Sequence, residues 1–378
     1  MLVVNHRSAA PAARVLSHVS RSGVVKREDI VEATGLSQAT VSRAVGALMD
    51  VGLLRARPDV VRPGAIGRPS VPVQVDTRRH VVVGVHIGRR TTTVALADVR
   101  GRVLVSRRTQ TSNDVDSIVA QVASTATELL VARPALRAAS AGVVGPWIEL
   151  GLDQHRVGAL LGEALGLATQ TADHAAAVAA AEYAVDSRDE AGLTVYVYAR
   201  DTIGFVTVSE IPGATVISPV SSLAHLPTGV PFTCRCRRVG CLEAVASDDA
   251  VARRARASGL IADADIEQLY AAAARGSRPA MAIVRERAAA LGRAAAFVRD
   301  MTRPTRMVLS GQAFTTFAPT VAMVRSAFEN ATTLPPAILD VGRFGDDLQA
   351  VAASRIALRP LLEDPLVRVS TLVSDRAE

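Results

Sequence analysis

The sequence predicts a small winged helix-turn-helix head followed by an α/β body of two lobes. Three observations predict it. Two short helical patterns meet through Gly35-Leu36-Ser37, and near His80 the patterning switches from helical to strand-like. The body then opens in the order strand–strand–strand–helix–strand, as actin-like (ribonuclease-H-like) lobes do. The division expected is a head over residues 1–76, a first lobe over 77–190 rejoined by the C-terminal segment 348–378, and a second lobe over 191–347.

A chain of 378 residues is long enough for two or three buried cores. Hydrophobic residues make up 49% and charge is mixed, which places the chain among globular proteins rather than disordered ones. Apolar runs such as Val81 to Val85 are far too short to span a membrane. The start, Met1-Leu-Val-Val-Asn-His-Arg7, lacks the apolar core and cleavage site of a signal peptide, so the expected location is cytoplasmic, with no membrane partner. A formal net charge of +7 favours a polyanionic partner.

In the head, Ala10 to Val19 has a helical pattern that runs out at Ser22-Gly23. A second helix covers Arg27 to Thr34 and stops at Gly35, a suitable C-terminal glycine; Lys26 stands where a capping serine is usual. The third begins after Ser37, a good N-cap, and runs from Gln38 to Met49. Val41, Val45 and Leu48 recur at i, i+4 and i+7 and form its buried face. Ser37, Gln38, Ala39, Thr40, Ser42 and Arg43 are left as candidate DNA contacts at the leading end of a recognition helix, with Arg43 able to reach a phosphate or a guanine. An ordinary three-helix packing unit is the alternative. Leu53-Leu54 begins a wing that continues through Arg55, Arg57, Arg62 and Gly67-Arg68-Pro69. Glycine and proline keep such a segment thin enough for a minor groove, whose potential draws arginine. Arg62, Gly67, Arg68 and Pro69 are therefore candidate contacts, against the alternative of a solvated basic linker.

The body's strands are expected at His80 to His86, Thr91 to Asp98, Val103 to Thr109 and Ala138 to Val144, with a helix over Asp116 to Ala132 between the last two. Thr194 to Tyr198 and Gly204 to Val208 open the second lobe, which carries long helices near Pro279 to Met301 and Phe317 to Ala331. Arg306 to Leu309 is a strand leading into Ser310-Gly311, and a last helix near Leu348 to Leu361 is expected to return to the first lobe.

All three cysteines of the chain fall within eight positions, Cys234-Arg-Cys236-Arg-Arg-Val-Gly-Cys241, with His225 just upstream. Three thiolates and an imidazole at this spacing supply the four donors of a closed tetrahedral zinc site, which leaves no position for water and is structural. Three buried, unrelated thiols are the alternative. A disulfide is disfavoured, because one cysteine is left over and nothing suggests secretion.

A histidine, Cys-x-Cys, then Gly240-Cys241-x-Glu243 resembles the zinc loop of the ROK family, whose members are bacterial sugar kinases and sugar-responsive repressors. The chain departs from that loop in having Arg237 where glycine is usual, and in a histidine-to-cysteine gap one residue short. The resemblance covers essentially the whole chain, and ROK repressors carry a Gly-Arg-Pro between head and body. It implies a sugar kinase's phosphate loops, but these are degraded. The family's Asp-x-Gly-Gly-Thr reads His86-Ile-Gly88-Arg89-Arg90-Thr91, and of the second loop's glycines only Gly204 remains. Nothing would place ATP and magnesium, so no enzyme activity is expected.

The sugar pocket implied by the resemblance is half present. Asp173 stands where the kinases have their base and repressors bind a sugar hydroxyl; it is read equally as the N-cap of an alanine-rich helix. His225 and Glu243 remain as ligand-binding candidates, while Ala172 and Ser222 replace an asparagine and a glutamate. With each neutral hydrogen bond contributing roughly 0.5–1.5 kcal/mol and charged ones more, hexose binding is weakened by a few orders of magnitude. The expectation is a homodimeric or larger transcriptional regulator, most simply a repressor, that binds a double-stranded operator and responds to a sugar or a sugar phosphate; the alternatives are a regulator that is gated by a protein partner or constitutive and, less favoured, a sugar kinase.

Overall fold

The computed structural model describes all residues except 6–9, 61–70, 186–191, 213, 336–337 and 375–378. The chain forms two compact units, Asn5–Ala177 with Gln349–Glu378, and Met1–Val4 with Val178–Leu348. Among the described residues no helix is long and apolar enough to cross a membrane.

After a short strand β1 (Leu2–Asn5), the first unit builds the head from α1 (Pro11–Ser22), α2 (Arg27–Thr34) and α3 (Gln38–Asp50), then β2 (Leu54–Ala56) and β3 (Val73–Val75). The antiparallel pair β2–β3, with Val25 bridged to Val73, makes the wing's base. Lys26 offers α2 no side-chain acceptor, and the helix start is instead closed by Asp29, which accepts from the Lys26 N–H at 3.1 Å. Gly35 ends α2 in the left-handed conformation (φ 64°), as expected of a C-terminal glycine.

The lobe that follows contains β4 (His80–Ile87), β5 (Thr91–Asp98), β6 (Val103–Gln110), α4 (Val115–Val131), β7 (Arg137–Gly145), α5 (Trp147–Leu150), α6 (Gln154–Leu165), β8 (Thr169–Asp173) and the start of α7 (His174–Val185). Its sheet runs β6-β5-β4-β7-β8, antiparallel through the first three strands and parallel from β4 to β8.

The second unit contains β9 (Leu193–Ala199), β10 (Ile203–Ile211), β11 (Ala214–Ile217), β12 (Ser221–Ser222), α8 (Leu242–Ala246), α9 (Asp248–Ala257), α10 (Ile266–Ala274), α11 (Arg278–Thr302), β13 (Arg306–Ser310), α12 (Gln312–Thr315), α13 (Pro319–Ala331) and β14 (Ile338–Val341). Here β11-β10-β9 is antiparallel and β9-β13-β14 parallel, with β1 at the outer edge and β12 beside β10. Each lobe thus repeats one plan, three antiparallel strands followed by two parallel additions. This is the actin-like, ribonuclease-H-like arrangement that the order of elements predicted.

The C-terminal helices α14 (Leu348–Glu363) and α15 (Pro365–Ser374) return to the first unit. α14 lies flush on the sheet because two strand residues facing it have no side chain. A Cβ on Gly84 would stand 2.6 Å from the Ser354 nitrogen, and one on Gly142 would stand 2.2 Å from the Ala357 nitrogen. Two residues before Gly142 on the same strand, Ser140 donates to the Ala357 carbonyl at 2.6 Å. α15 packs on α1 and α3, so Leu16, Val45 and Leu48 of the head share one apolar core with Val82, Ala139, Leu358, Leu361 and Val369. The joint is closed by His80, whose Nε2 donates to the Val51 carbonyl at the end of α3 at 2.8 Å.

Gly142→Ala forces helix backbone off the sheet, and overpacking of this kind costs about 3 kcal/mol. Denaturant unfolding of the variant is expected to show that loss; wild-type stability would contradict the contact.

Candidate nucleic-acid interface and metal centre

α3 presents the surface the sequence assigned to it. Val41, Val45 and Leu48 are fully buried, whereas Ser37, Gln38, Ala39, Ser42 and Arg43 are exposed and Thr40 is half-buried. Ser37 caps the helix by accepting from the Thr40 N–H at 3.2 Å, and Gln38 and Arg43 are the long polar side chains at the leading end. Arg57 is committed within the wing to Asp59 and Gln74. Arg62, Gly67, Arg68 and Pro69 lie outside the described residues. The leading end of α3 thus carries short neutral side chains and one guanidinium, and the wing base carries Arg55.

The metal loop spans β12 to α8. His225, Cys234, Cys236 and Cys241 bring one donor atom each to within 4.8 Å of one another, the one such group among the described residues. Cys234 Sγ lies 3.8 Å from His225 Nδ1, and Cys236 Sγ 3.6 Å from Cys241 Sγ. With metal–sulfur bonds of about 2.3 Å a tetrahedron has edges of about 3.8 Å, so these two pairs stand at the separation a zinc ion asks for and the whole group is close enough to converge on one ion. Burial pushes the Cys234 thiol up to about 12 and the Cys241 thiol up as well, while the Arg238 N–H holds Cys236 below its ordinary value.

Several contacts hold the loop in shape. The bridges Pro227–Cys241 and Thr233–Val239 fold it back on itself. The turn between them places Arg237 at φ 69°, a left-handed conformation that costs a residue with a Cβ about 1–2 kcal/mol. Glycine, usual there in the resembling loops, adopts it without that cost. Cys241 is the N-cap of α8, and Glu243 in its first turn accepts from Cys234 Sγ at 3.3 Å. Phe232 lies under the Arg254 guanidinium, 4.3 Å from ring centre to carbon.

Sequence reasoning missed Arg287, whose guanidinium is fully buried and donates to the Ala246 carbonyl (2.9 Å), the Tyr270 hydroxyl (2.6 Å) and Asp248. It fastens α11 to the end of the helix that Cys241 begins. The signal was available: Arg287 sits on the apolar stripe of Val284, Ala288 and Leu291, where a lone arginine needs a built partner set.

The ligand-binding candidates divide between the units, with Asp173 in the first and His225 and Glu243 in the second. Asp173 ends β8 and accepts from the Ala175 N–H at 2.9 Å, as a cap of α7 does. Beside it the buried imidazoles of His86 and His174 meet edge to face, their centres 6.2 Å apart. An imidazole therefore occupies the end of β4 where a kinase's aspartate would be expected.

Residues 82–356 match the ROK family and residues 9–61 match the MarR family. A transcriptional regulator of Mycobacterium tuberculosis is 36% identical over 390 residues, covering 96% of this chain and 88% of that one. The N-acetylglucosamine repressor of Escherichia coli O157:H7 is 22% identical over 80% of each chain. Among solved structures, a ROK family transcriptional regulator, a homologue of the E. coli MLC protein, covers 97% of this chain and 100% of its own at 23% identity and TM-score 0.75. A ROK glucokinase from Streptomyces griseus covers 73% of this chain and 99% of its own at 18% identity and TM-score 0.62.

Burial pushes the Asp173 carboxyl up to about 6 from its ordinary 3.8, against the pull of the Ala175 and Ala176 N–H groups. The folded chain therefore binds more protons than the unfolded one between those values. Its contribution to stability is complete below about pH 3.8 and lost as pH rises through about 6. Asp173→Asn keeps the capping acceptor without the charge. It is expected to gain on the order of 1–3 kcal/mol over the parent above about pH 7 and nothing near pH 4, read by urea unfolding; a gain independent of pH would contradict this origin.

Proposed function

The chain belongs to the ROK family and is a DNA-binding transcriptional regulator, and we propose that it acts as a homodimeric repressor whose body couples ligand or partner binding to operator affinity. The observation that carries the DNA reading is the exposed leading face of α3, backed by Val41, Val45 and Leu48 and flanked by the wing. One recognition helix reads few bases, so two heads on a two-fold axis would match a palindromic operator. Gln38 suits an adenine edge and Arg43 a guanine or a phosphate, with Ser37, Thr40 and Ser42 serving the backbone. Arg62 and Arg68, with Gly67 and Pro69, would enter the minor groove.

In the body, Asp173 of the first unit, and separately His225 and Glu243 of the second, are the groups we propose for contacts to a sugar or sugar-phosphate effector, as the name of the E. coli repressor suggests for its own ligand. An effector that favours one arrangement of the body would shift the population of heads able to bind, by its differential affinity for the two arrangements. Ala172 and Ser222 favour a second reading, a body gated by a protein partner or serving as a constitutive frame. Phosphoryl transfer is not part of the proposal, since His86 and Arg89 occupy the phosphate-loop positions. The cytoplasm is the compartment proposed for such a regulator. A zinc ion on His225, Cys234, Cys236 and Cys241 would be structural, its four positions filled by protein.

Purified protein is expected to carry about one zinc per chain, to lose it in Cys236→Ser, and to unfold at lower temperature once chelated. Unchanged unfolding after complete removal of metal would sink the structural role. Calorimetric titration of the zinc-loaded protein with a panel of sugars and sugar phosphates tests the sensor. One compound bound at micromolar affinity and lost in Asp173→Ala supports the sugar reading. Silence across the panel, with binding to duplexes enriched from a random library intact, favours the partner-gated one.

A further inference from the structure

Gly46 is a glycine for which the fold supplies no reason. It lies inside α3 with ordinary helical backbone, since it is absent from the glycines of positive φ. Gly46 is half-buried, and a Cβ built on it meets none of the described residues within 4 Å. Gly84 and Gly142 are required by helix backbone against their strands, and Gly35 by its left-handed φ; Gly46 has neither excuse. A glycine inside a helix is nevertheless less stable than alanine by about 1 kcal/mol. Among the described residues no contact offsets that cost.

Its position on the helix indicates where the reason lies. Gly46 follows Ala39 by seven residues, which at 3.6 residues per turn returns it to the same line along the helix. That line is opposite the buried Val41, Val45 and Leu48, and it also runs past the exposed Ser42, with Gln38 and Arg43 to its sides. The centre of the face that takes DNA in our reading thus bears no side chain at all one turn beyond Arg43. We infer that Gly46 is a contact of the DNA interface in its own right, the point where the helix backbone seats against the sugar-phosphate wall of the major groove. A Cβ there holds the helix away and lengthens the reach required of Gln38 and Arg43. The inference rests on α3 being the recognition helix, and its test separates the two.

Full-length, zinc-loaded protein and its Gly46→Ala, Gly46→Leu and Arg43→Ala variants are compared on duplexes of about 30 base pairs enriched from a random library by the parent, long enough for two half-sites. Thermal unfolding is measured alongside. Gly46→Ala is expected to unfold at the parent's temperature or a few degrees above it, while its affinity for the duplex falls about tenfold. Gly46→Leu should lose about a hundredfold or more without unfolding earlier, because leucine is a good helix former and the space is open. Parent-like affinity in Gly46→Ala overturns the inference, as does an unfolding temperature that falls in step with affinity. If Arg43→Ala weakens binding while both glycine variants do not, the DNA interface stands and this inference alone falls. If the parent enriches no duplex, both fall.

Discussion

The first unit depends on one close contact, the backbone of α14 resting on β4 and β7. Two strand glycines and the Ser140 hydroxyl make room for it and fix its height. Because the strands are contiguous with the head through His80, and α14 with α15, this seating helps to set the surface on which α3 packs. α3 is presented by a surface drawn from both ends of the chain. Its exposed face is free to be short and weakly charged because its orientation is set by packing rather than by its own side chains.

The head was legible in the sequence because its information is local. Period-3.6 valines, Ser37 as cap and Gly35 as terminator lie within a few residues of the structure they specify. The cluster of His225 with the three cysteines was legible because all the thiols of the chain fall within eight positions. The pairing plan of the sheets was not. β8 (Thr169–Asp173) and β14 (Ile338–Val341) are short and only partly buried strands added at sheet edges, and their partners lie 25 or more residues away, so no alternation announces them. The repeated plan of the two lobes is likewise a matter of strand order, which similar sequences are not needed to produce. Asp173 shows the same limit in a single residue: before an alanine-rich helix it reads equally as a cap and as a ligand group, and its hydrogen bond to Ala175 satisfies the first reading without removing the second.

The body keeps the architecture of a sugar kinase with different chemistry at the position of the first phosphate loop. His86 and His174 bring two imidazoles beside a carboxyl that burial holds toward its neutral form. His86 brings no fixed negative charge to the position where the kinases carry an aspartate, and the Asp173 carboxyl takes up a proton at a higher pH than an exposed one would. In the other unit the metal loop retains its donors and gains rigidity from Arg287 and Arg254, yet tolerates Arg237 in a conformation better suited to glycine. The framework around the loop evidently over-determines that turn.

The apolar core shared by α1, α3, β4, β7, α14 and α15 has a consequence for modularity. DNA heads of this size are commonly treated as interchangeable cassettes, joined to their sensors by a linker that can be cut anywhere. Here the cassette is non-contiguous: Leu358, Leu361 and Val369 are as much a part of the head's interior as Leu16 or Leu48. A graft that exchanges only the first 76 residues would set a foreign surface on these C-terminal side chains. To be exchanged with its interior intact, the head of this chain has to be moved together with its C-terminal helices.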